Sequence, residues 1–151
     1  MKQLGLGLNL LMKRTRKREF LDEMERVVPW SALVQVVQPY YPRAQTGRPP
    51  FGIETMPRIH YLQQWFASSD PAMEEALHDM PVFREFAKLG EGVSRLPDET
   101  TILRFRHRLE KKDLASDMLR VVNDILQAKG LTLKKGAVVD ATKIAAPSST
   151  K

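Results

Sequence analysis

Apolar side chains recur at helical spacing over most of the chain between residues 13 and 130. The first such group occupies positions i, i+1, i+4, i+7 and i+8 and therefore shares one helical face: Phe20, Leu21, Met24, Val27 and Val28. Pro29 ends this helix and fits the first turn of a shorter one that runs to about Val37. The pattern predicts a domain that is mainly α-helical.

The same periodicity predicts five further helices. They run from about Ile53 to Phe66, from the Ser69-Asp70-Pro71 start signal to Asp79, from Pro81 to Gly90, from Asp98 to Lys112, and from about Leu114 to Ala128. Pro57 lies inside the first of these, where it disturbs the helix unless the helix begins close to it. Gly130 is the predicted stop of the last helix.

The pattern changes from helical to extended after Gly130. Ala137 to Ile144 reads as a short strand, and Leu131 to Leu133 is the run that pairs with it in a predicted hairpin. Asp140 lies in the middle of this strand. A carboxylate there is costly to bury unless it is paired, hydrogen-bonded or bound to a metal. A solvated face, or local pairing with Thr142, is the structural alternative.

The charge balance of the chain indicates what kind of partner it binds. The 151 residues contain 24 Lys and Arg against 18 Asp and Glu, a formal net charge of +6. This surplus favours a polyanionic partner, with nucleic acid first and an anionic membrane surface second. There is no cysteine, which excludes disulfides and thiolate chemistry. No apolar run reaches the roughly 18 residues of a membrane span, and a cytoplasmic location is expected.

Two basic clusters are the candidate DNA-binding segments. The predicted helix from Asp98 to Lys112 resembles the second helix of a helix-turn-helix unit, because a shorter helix and a glycine-containing loop precede it. The second cluster is Lys13 to Arg18, with five cations in six residues. The alternative for the helix is a solvated face whose arginine stems cover apolar surface, and for the Lys13 to Arg18 cluster it is a solvated helix start. The predicted DNA contacts are Lys13, Arg14, Arg16, Lys17, Arg18, Thr101, Arg104, Arg106, His107, Arg108 and Lys111.

Several segments in order resemble a known family. The matching runs are Thr15 to Leu21 with Val28-Pro-Trp30, Gly47-Arg-Pro-Pro50, Glu54 to His60, Gln64 to Leu77, Leu96 to Leu109, and Val138 to Lys151. Together they resemble the N-terminal part of a bacterial insertion-sequence transposase of the insertion sequence five family, within the DDE group. The resemblance implies a helical DNA-binding domain over residues 13–130, after an irregular segment 1–12. Residues 131–151 would then begin a truncated ribonuclease H-like catalytic domain.

The resemblance also implies a chemistry. Asp140 would be the first of three acids that hold two Mg²⁺ ions for strand cleavage and transfer in such transposases. With one of the three acids, this chain is expected to bind the terminal inverted repeats of double-stranded DNA without catalysing transfer by itself. Self-association, or pairing with full-length transposase, is a further expectation. The alternatives are a small helix-turn-helix regulator, or a fragment that inhibits full-length transposase.

Overall fold

The computed structural model describes residues 14–43, 49–90, 92–134 and 137–140, with the backbone only from residue 131 onward. The described chain is mainly helical. Its helices and strands, in order, are α1 (Arg16–Val27), α2 (Trp30–Val37), a 3-10 turn (Gln38–Tyr40), α3 (Thr55–Phe66), α4 (Asp70–Asp79), α5 (Pro81–Phe86), α6 (Glu99–Lys111), α7 (Leu114–Gln127), β1 (Leu131–Lys134) and β2 (Ala137–Asp140). Within these ranges, every helix is too short or too polar to cross a membrane.

The apolar face predicted for α1 is confirmed. Three of its side chains are buried in the core: Phe20, Leu21 and Met24. At the start of the helix, the Thr15 hydroxyl accepts the Arg18 backbone N–H at 3.1 Å and satisfies one donor of the first turn. Pro29 separates α1 from α2, which begins at the following residue, Trp30. A proline signal in the sequence therefore marks the first corner of the fold.

Helix α3 is buried on nearly all sides and forms the centre of the domain. Its buried side chains are Thr55, Met56, Pro57, Arg58, Ile59, Tyr61, Leu62, Gln63 and Trp65. The helix begins at Thr55, two residues after the predicted start near Ile53. Pro57 is thus its third residue, where a backbone N–H has no partner within the helix in any case. The disturbance expected from this proline does not occur.

One charged side chain lies inside this core. The Arg58 side chain is 5% exposed and forms a two-point ion pair with Glu25 of α1, with Nη2 at 3.2 Å from Oε2. Its guanidinium carbon lies 4.4 Å from the centre of the Trp30 ring and 5.2 Å from that of Phe86. Nη1 also donates to the Phe86 carbonyl at 3.1 Å. A buried guanidinium is tolerated when its donors are satisfied in this way, and here it joins α1, α2, α3 and α5.

Helix α5 is shorter than predicted. It ends at Phe86 rather than at Gly90, because Lys88 adopts the left-handed conformation with φ 66°. The Leu89 N–H then donates to the Arg84 carbonyl at 2.8 Å, which closes the helix in the manner usually built around glycine. Leu89 is buried as a result. The glycine at 90 was the wrong stop signal, since a lysine takes the role two residues earlier.

A second non-glycine residue in the left-handed region gives a testable prediction. Ala67 closes α3 with φ 50° and ψ 48°. A residue other than glycine costs about 1–2 kcal/mol of stability in this conformation. Glycine removes this cost, but its greater conformational freedom in the unfolded chain offsets part of the gain. Ala67→Gly is therefore expected to raise the free energy of unfolding by about 0.5–1 kcal/mol in urea titration. The matched control Ala76→Gly, inside α4, is expected to lower it by about 1 kcal/mol. A loss of stability in Ala67→Gly would contradict the assigned conformation.

The predicted helix-turn-helix unit is not formed by α5 and α6. Residues 87–98 separate the two helices, whereas such a unit is joined by a turn of about three or four residues. Helix α6 packs instead against α3, α4 and α7. The predicted start of this helix at Asp98 is confirmed, because the Asp98 carboxylate caps it by accepting the Thr101 N–H at 2.8 Å. This bond is the main cause that lowers the pKa of Asp98. The core therefore fixes which side of α6 faces outward.

The chain changes to an extended conformation after α7. Strands β1 and β2 run antiparallel, with Leu131 opposite Asp140 and Lys134 opposite Ala137. A two-stranded pair is marginal unless other elements cover it. No further strand in the described ranges supports the ribonuclease H-like sheet predicted here, which stays a prediction. Residues 141–151, the rest of the predicted strand and its sequel, lie outside the described residues.

Candidate nucleic-acid interface

The positive side chains of the described ranges differ in whether a carboxylate holds them. Several arginines are paired within the domain: Arg14 with Asp22, Arg18 with Glu85, Arg58 with Glu25, Arg106 with Asp70, and Arg120 with Asp117. Exposed cations without a carboxylate in ion-pair distance among the described residues occur on several elements, such as Arg16 and Arg26 on α1. Four of them are grouped on α6 and at its end: Arg104, Arg108, Lys111 and Lys112. This group offers clustered charge to an outside partner.

We call these four residues the basic face of α6. They stand at i, i+4, i+7 and i+8, which places them on one side of the helix. All four are exposed. Arg108 is also oriented, because its Nη1 donates to the Tyr40 carbonyl at 3.2 Å, and the Lys112 ammonium lies 5.8 Å from the centre of the Tyr40 ring. The face is thus a compact patch of four cations, two of which are oriented by Tyr40.

The other predicted residues of this helix lie in different surroundings. His107 is exposed beside the basic face and borders a shallow hollow with Arg104, Arg108 and Lys111. Thr101 is half-buried, and both its N–H and its hydroxyl bond to the Asp98 carboxylate. His107 is therefore positioned to join a contact with DNA, whereas the polar groups of Thr101 serve the helix cap.

Arg106 points away from the basic face. Two residues along a helix correspond to a rotation of about 200°, which turns its side chain towards α4. There it forms a two-point ion pair with Asp70, with Nη2 at 2.7 Å from Oδ2, and Gln63 Nε2 donates to the same carboxylate at 2.9 Å. Arg106 is the main cause that lowers the pKa of Asp70, and Asp70 in turn raises that of Arg106. This arginine fixes α6 to α3 and α4.

The structure does not bring the basic cluster of residues 13–18 together with α6. Arg18 donates to Glu85 of α5 at 3.0 Å, and the Lys17 ammonium lies 5.4 Å from the ring centres of both Phe66 and Phe83. Arg14 pairs with Asp22 at 2.6 Å, and Arg16 is exposed. Lys13 lies outside the described residues. The described part of this cluster mainly attaches α1 to α5 and to the end of α3.

A cleft of about 560 Å³ adjoins the basic face. Its lining combines prolines, aromatic rings, hydroxyls and three arginines: Tyr41, Pro42, Pro49, Pro50, Phe51, Met56, Arg95, Asp98, Thr100, Thr101, Arg104, Phe105 and Arg108. The Tyr41 hydroxyl donates to the Phe51 carbonyl at 2.5 Å and holds one wall in place. The Arg95 guanidinium carbon lies 3.9 Å from the centre of the Phe51 ring, and Arg95 Nη2 donates to the Pro49 carbonyl. We call this site the Phe51 cleft.

Arg95 was missed by sequence reasoning. It lies in the connection between α5 and α6, where no periodic pattern predicts which way a side chain points. The contact between Arg95 and Phe51, which are 44 positions apart in the chain, arises from tertiary packing only. A lone arginine two residues before Pro97 and three before the Asp98 cap carried no signal of its own.

The predicted catalytic residue is the last described residue of β2. The backbone of Asp140 pairs with that of Leu131, and its side chain is not among the described ones. Within the described ranges, no three His, Cys, Asp or Glu side chains cluster as a metal site requires. The candidate site that the structure does define is therefore the basic face with its adjoining cleft.

Taken together, these features define a helical domain with one cation-rich helix face. A family model for the transposase domain (DUF772) matches residues 9–108 of the 151, a range that includes α1 to α5 and α6 as far as Arg108. The chain therefore belongs to this transposase domain family. Its assignment to the insertion sequence five family and to the DDE group stays a prediction. No solved structure matches the chain.

Proposed function

We propose that this domain binds double-stranded DNA at the terminal inverted repeats of an insertion sequence, as the DNA-recognition part of a transposase. The observation that carries the proposal is the clustering of unpaired cations on α6. Five arginines elsewhere in the described ranges are paired with Asp or Glu, whereas the four cations of the basic face lie together on one side of the helix without such a partner. A partner with closely spaced negative charges complements such a face, and the transposase family and the net charge of +6 favour DNA as that partner.

The spacing of the basic face suits a duplex. An α-helix with its side chains is about 10–12 Å wide and enters a major groove that is about 12 Å wide. Arg104 and Arg108 carry planar guanidinium groups, which bind a phosphate or a guanine edge through two hydrogen bonds. Lys111 and Lys112 supply point charges one turn further along. Each phosphate that they neutralise releases counterions, so that binding weakens as salt rises.

Removing the two arginines tests the proposal. In a fluorescence-anisotropy titration with duplex DNA that carries a terminal inverted repeat, Arg104→Ala/Arg108→Ala is expected to weaken binding at least tenfold. The slope of log affinity against log salt is expected to become less steep by about two, because two phosphate contacts are lost. Both side chains are exposed, so the melting temperature of the double variant should match that of the unchanged chain.

The matched control separates a defined interface from net charge. Arg120 is an exposed cation of α7 that pairs with Asp117 at 3.0 Å. Arg120→Ala removes one positive charge as each α6 substitution does, and it is expected to change affinity by less than about twofold. Equal losses at Arg104 and Arg120 in the single variants would show that net charge attracts the DNA. An unchanged affinity in the double variant would refute the α6 interface.

The catalytic part of the family resemblance is a separate proposal. Asp140, on a strand, would supply one carboxylate ligand to Mg²⁺, an ion that prefers oxygen ligands. A single carboxylate does not hold the metal pair that strand transfer requires. For the described residues we therefore propose recognition of DNA and derive no catalytic step.

A further inference from the structure

The Phe51 cleft has features that binding to duplex phosphates does not need. A flat cationic surface is sufficient for phosphates. The cleft instead has a recessed volume of about 560 Å³, within the usual range for sites that enclose a small ligand. Its lining includes the apolar side chains of Pro49, Pro50 and Phe51 and the cations Arg104 and Arg108. A recess that combines apolar surface with a pair of cations suits a ligand with a flat apolar part and an anionic part.

The Phe51–Arg95 pair supplies a flat surface. The guanidinium carbon of Arg95 is 3.9 Å from the ring centre, close enough for the two planar groups to stack. Its bond to the Pro49 carbonyl holds Arg95 in this position. Unpaired bases of nucleic acids stack on aromatic rings and on arginine planes of this kind. The pair is therefore prepared to receive a base.

Other residues of the lining match the rest of a nucleotide. Arg104 and Arg108 line the cleft without a carboxylate in ion-pair distance among the described residues, so they remain able to bind a phosphate; the Asp98 carboxylate interacts with Arg104 only at longer range. Thr100 adds an exposed hydroxyl, and Asp98 adds a carboxylate able to accept from a base edge. Because a base in a duplex is stacked on both sides, only an unpaired nucleotide could enter the recess.

We propose that the Phe51 cleft binds one unpaired nucleotide of a DNA strand, with its base against the Phe51–Arg95 pair and its phosphate at Arg104 and Arg108. This inference rests on the proposed function, because the same α6 arginines would bring the DNA to the cleft. It adds a preference for DNA that is locally unpaired near the contact, as at a bulge or an opened end.

The test compares two DNA molecules of equal length and charge. One is a fully paired duplex, and the other carries a fluorescent adenine analogue as a single unpaired base. The unchanged chain is expected to bind the unpaired substrate about 5- to 100-fold more tightly and to quench the analogue, as stacking on an aromatic group does. Phe51→Leu keeps an apolar side chain but has no aromatic face, and it is expected to lose this preference while binding the paired duplex as before.

A second variant distinguishes the loss of stacking from a folding defect in Phe51→Leu. Arg95→Lys keeps the charge but has no planar group to stack, so it too should lose the preference and keep the affinity for the paired duplex. If Phe51→Leu has a lower melting temperature than the unchanged chain, Arg95→Lys decides the question. A preference retained in the folded variant would overturn the proposal.

The remaining outcomes separate the two proposals. Equal binding of both DNA molecules, with the α6 arginines still required, would overturn the cleft assignment and leave the proposed function intact. Binding of neither DNA would overturn both. Displacement of the unpaired substrate by an equal concentration of free deoxyadenosine monophosphate would overturn the assignment to a DNA strand, since the cleft would then hold a free nucleotide equally well.

Discussion

Arg58→Ala is expected to lower the free energy of unfolding by about 3–5 kcal/mol, measured by urea titration. The substitution leaves three defects at once. The Glu25 carboxylate loses the partner that lowers its pKa, the Phe86 carbonyl loses a donor, and the space beside Trp30 and Phe86 is emptied. Because small domains are stable by only about 5–15 kcal/mol, the variant is expected to be near the limit of folding.

Two comparisons make this prediction specific. Arg58→Lys keeps the charge but can neither stack between two rings nor bind Glu25 at two points, so it should also be destabilised, to a smaller extent. Arg14→Ala removes an arginine from the Arg14–Asp22 pair, whose side chains are both more than half exposed. It should cost less than about 1 kcal/mol. A similarly small loss in Arg58→Ala would show that the buried pair contributes little to the fold.

Stability is expected to fall by about 2 kcal/mol between pH 7 and pH 5 because of His60. Burial, together with the nearby positive charge of Arg106, lowers the pKa of this histidine to about 4. In the unfolded chain the ordinary value is about 6.5, so the unfolded state takes up a proton first as the pH falls. The contribution is complete above pH 6.5 and is lost progressively between pH 6.5 and pH 4.

The measurement is a series of urea titrations across this pH range. His60→Gln carries no titrating ring and should show a nearly flat profile between pH 7 and pH 5, whereas His107→Gln, an exposed substitution, should keep the original slope. The carboxylates with lowered pKa values, among them Glu25 and Asp70, lose their contributions only in more acidic solution, below about pH 4. Identical slopes in both histidine variants would contradict the role of His60.

Local signals in the sequence predicted the helices well. Ser69 caps α4 by accepting the Ala72 N–H at 3.2 Å, and Asp98 caps α6, each as its residue type and position indicated. These features depend on a few neighbouring residues and can therefore be predicted from the sequence. The end of α5 could not be predicted in this way, because a lysine in the left-handed conformation is stabilised there by the burial of Leu89, which depends on the core.

The candidate site was predictable only in part. The sequence identified the basic helix, and a 100° rotation per residue already separates Arg104 from Arg106. The sequence could not show that Asp70 pairs with Arg106, because the two are 36 positions apart and meet only through the packing of α4 on α6. The same holds for the Phe51–Arg95 pair. Charge along a sequence indicates where cations are, whereas tertiary structure decides which of them are already neutralised.

The ion pair between Arg106 and Asp70 has a consequence for how target sequences are selected. It resists rotation of α6 about its own axis, so the cations on its outer side keep a fixed direction, while the helix itself sets about 6 Å along the axis from Arg104 to Arg108. A rigid protein surface leaves the adjustment to the DNA, whose groove width and flexibility vary with base composition. We therefore expect discrimination among insertion-sequence ends to depend partly on base pairs that no side chain touches.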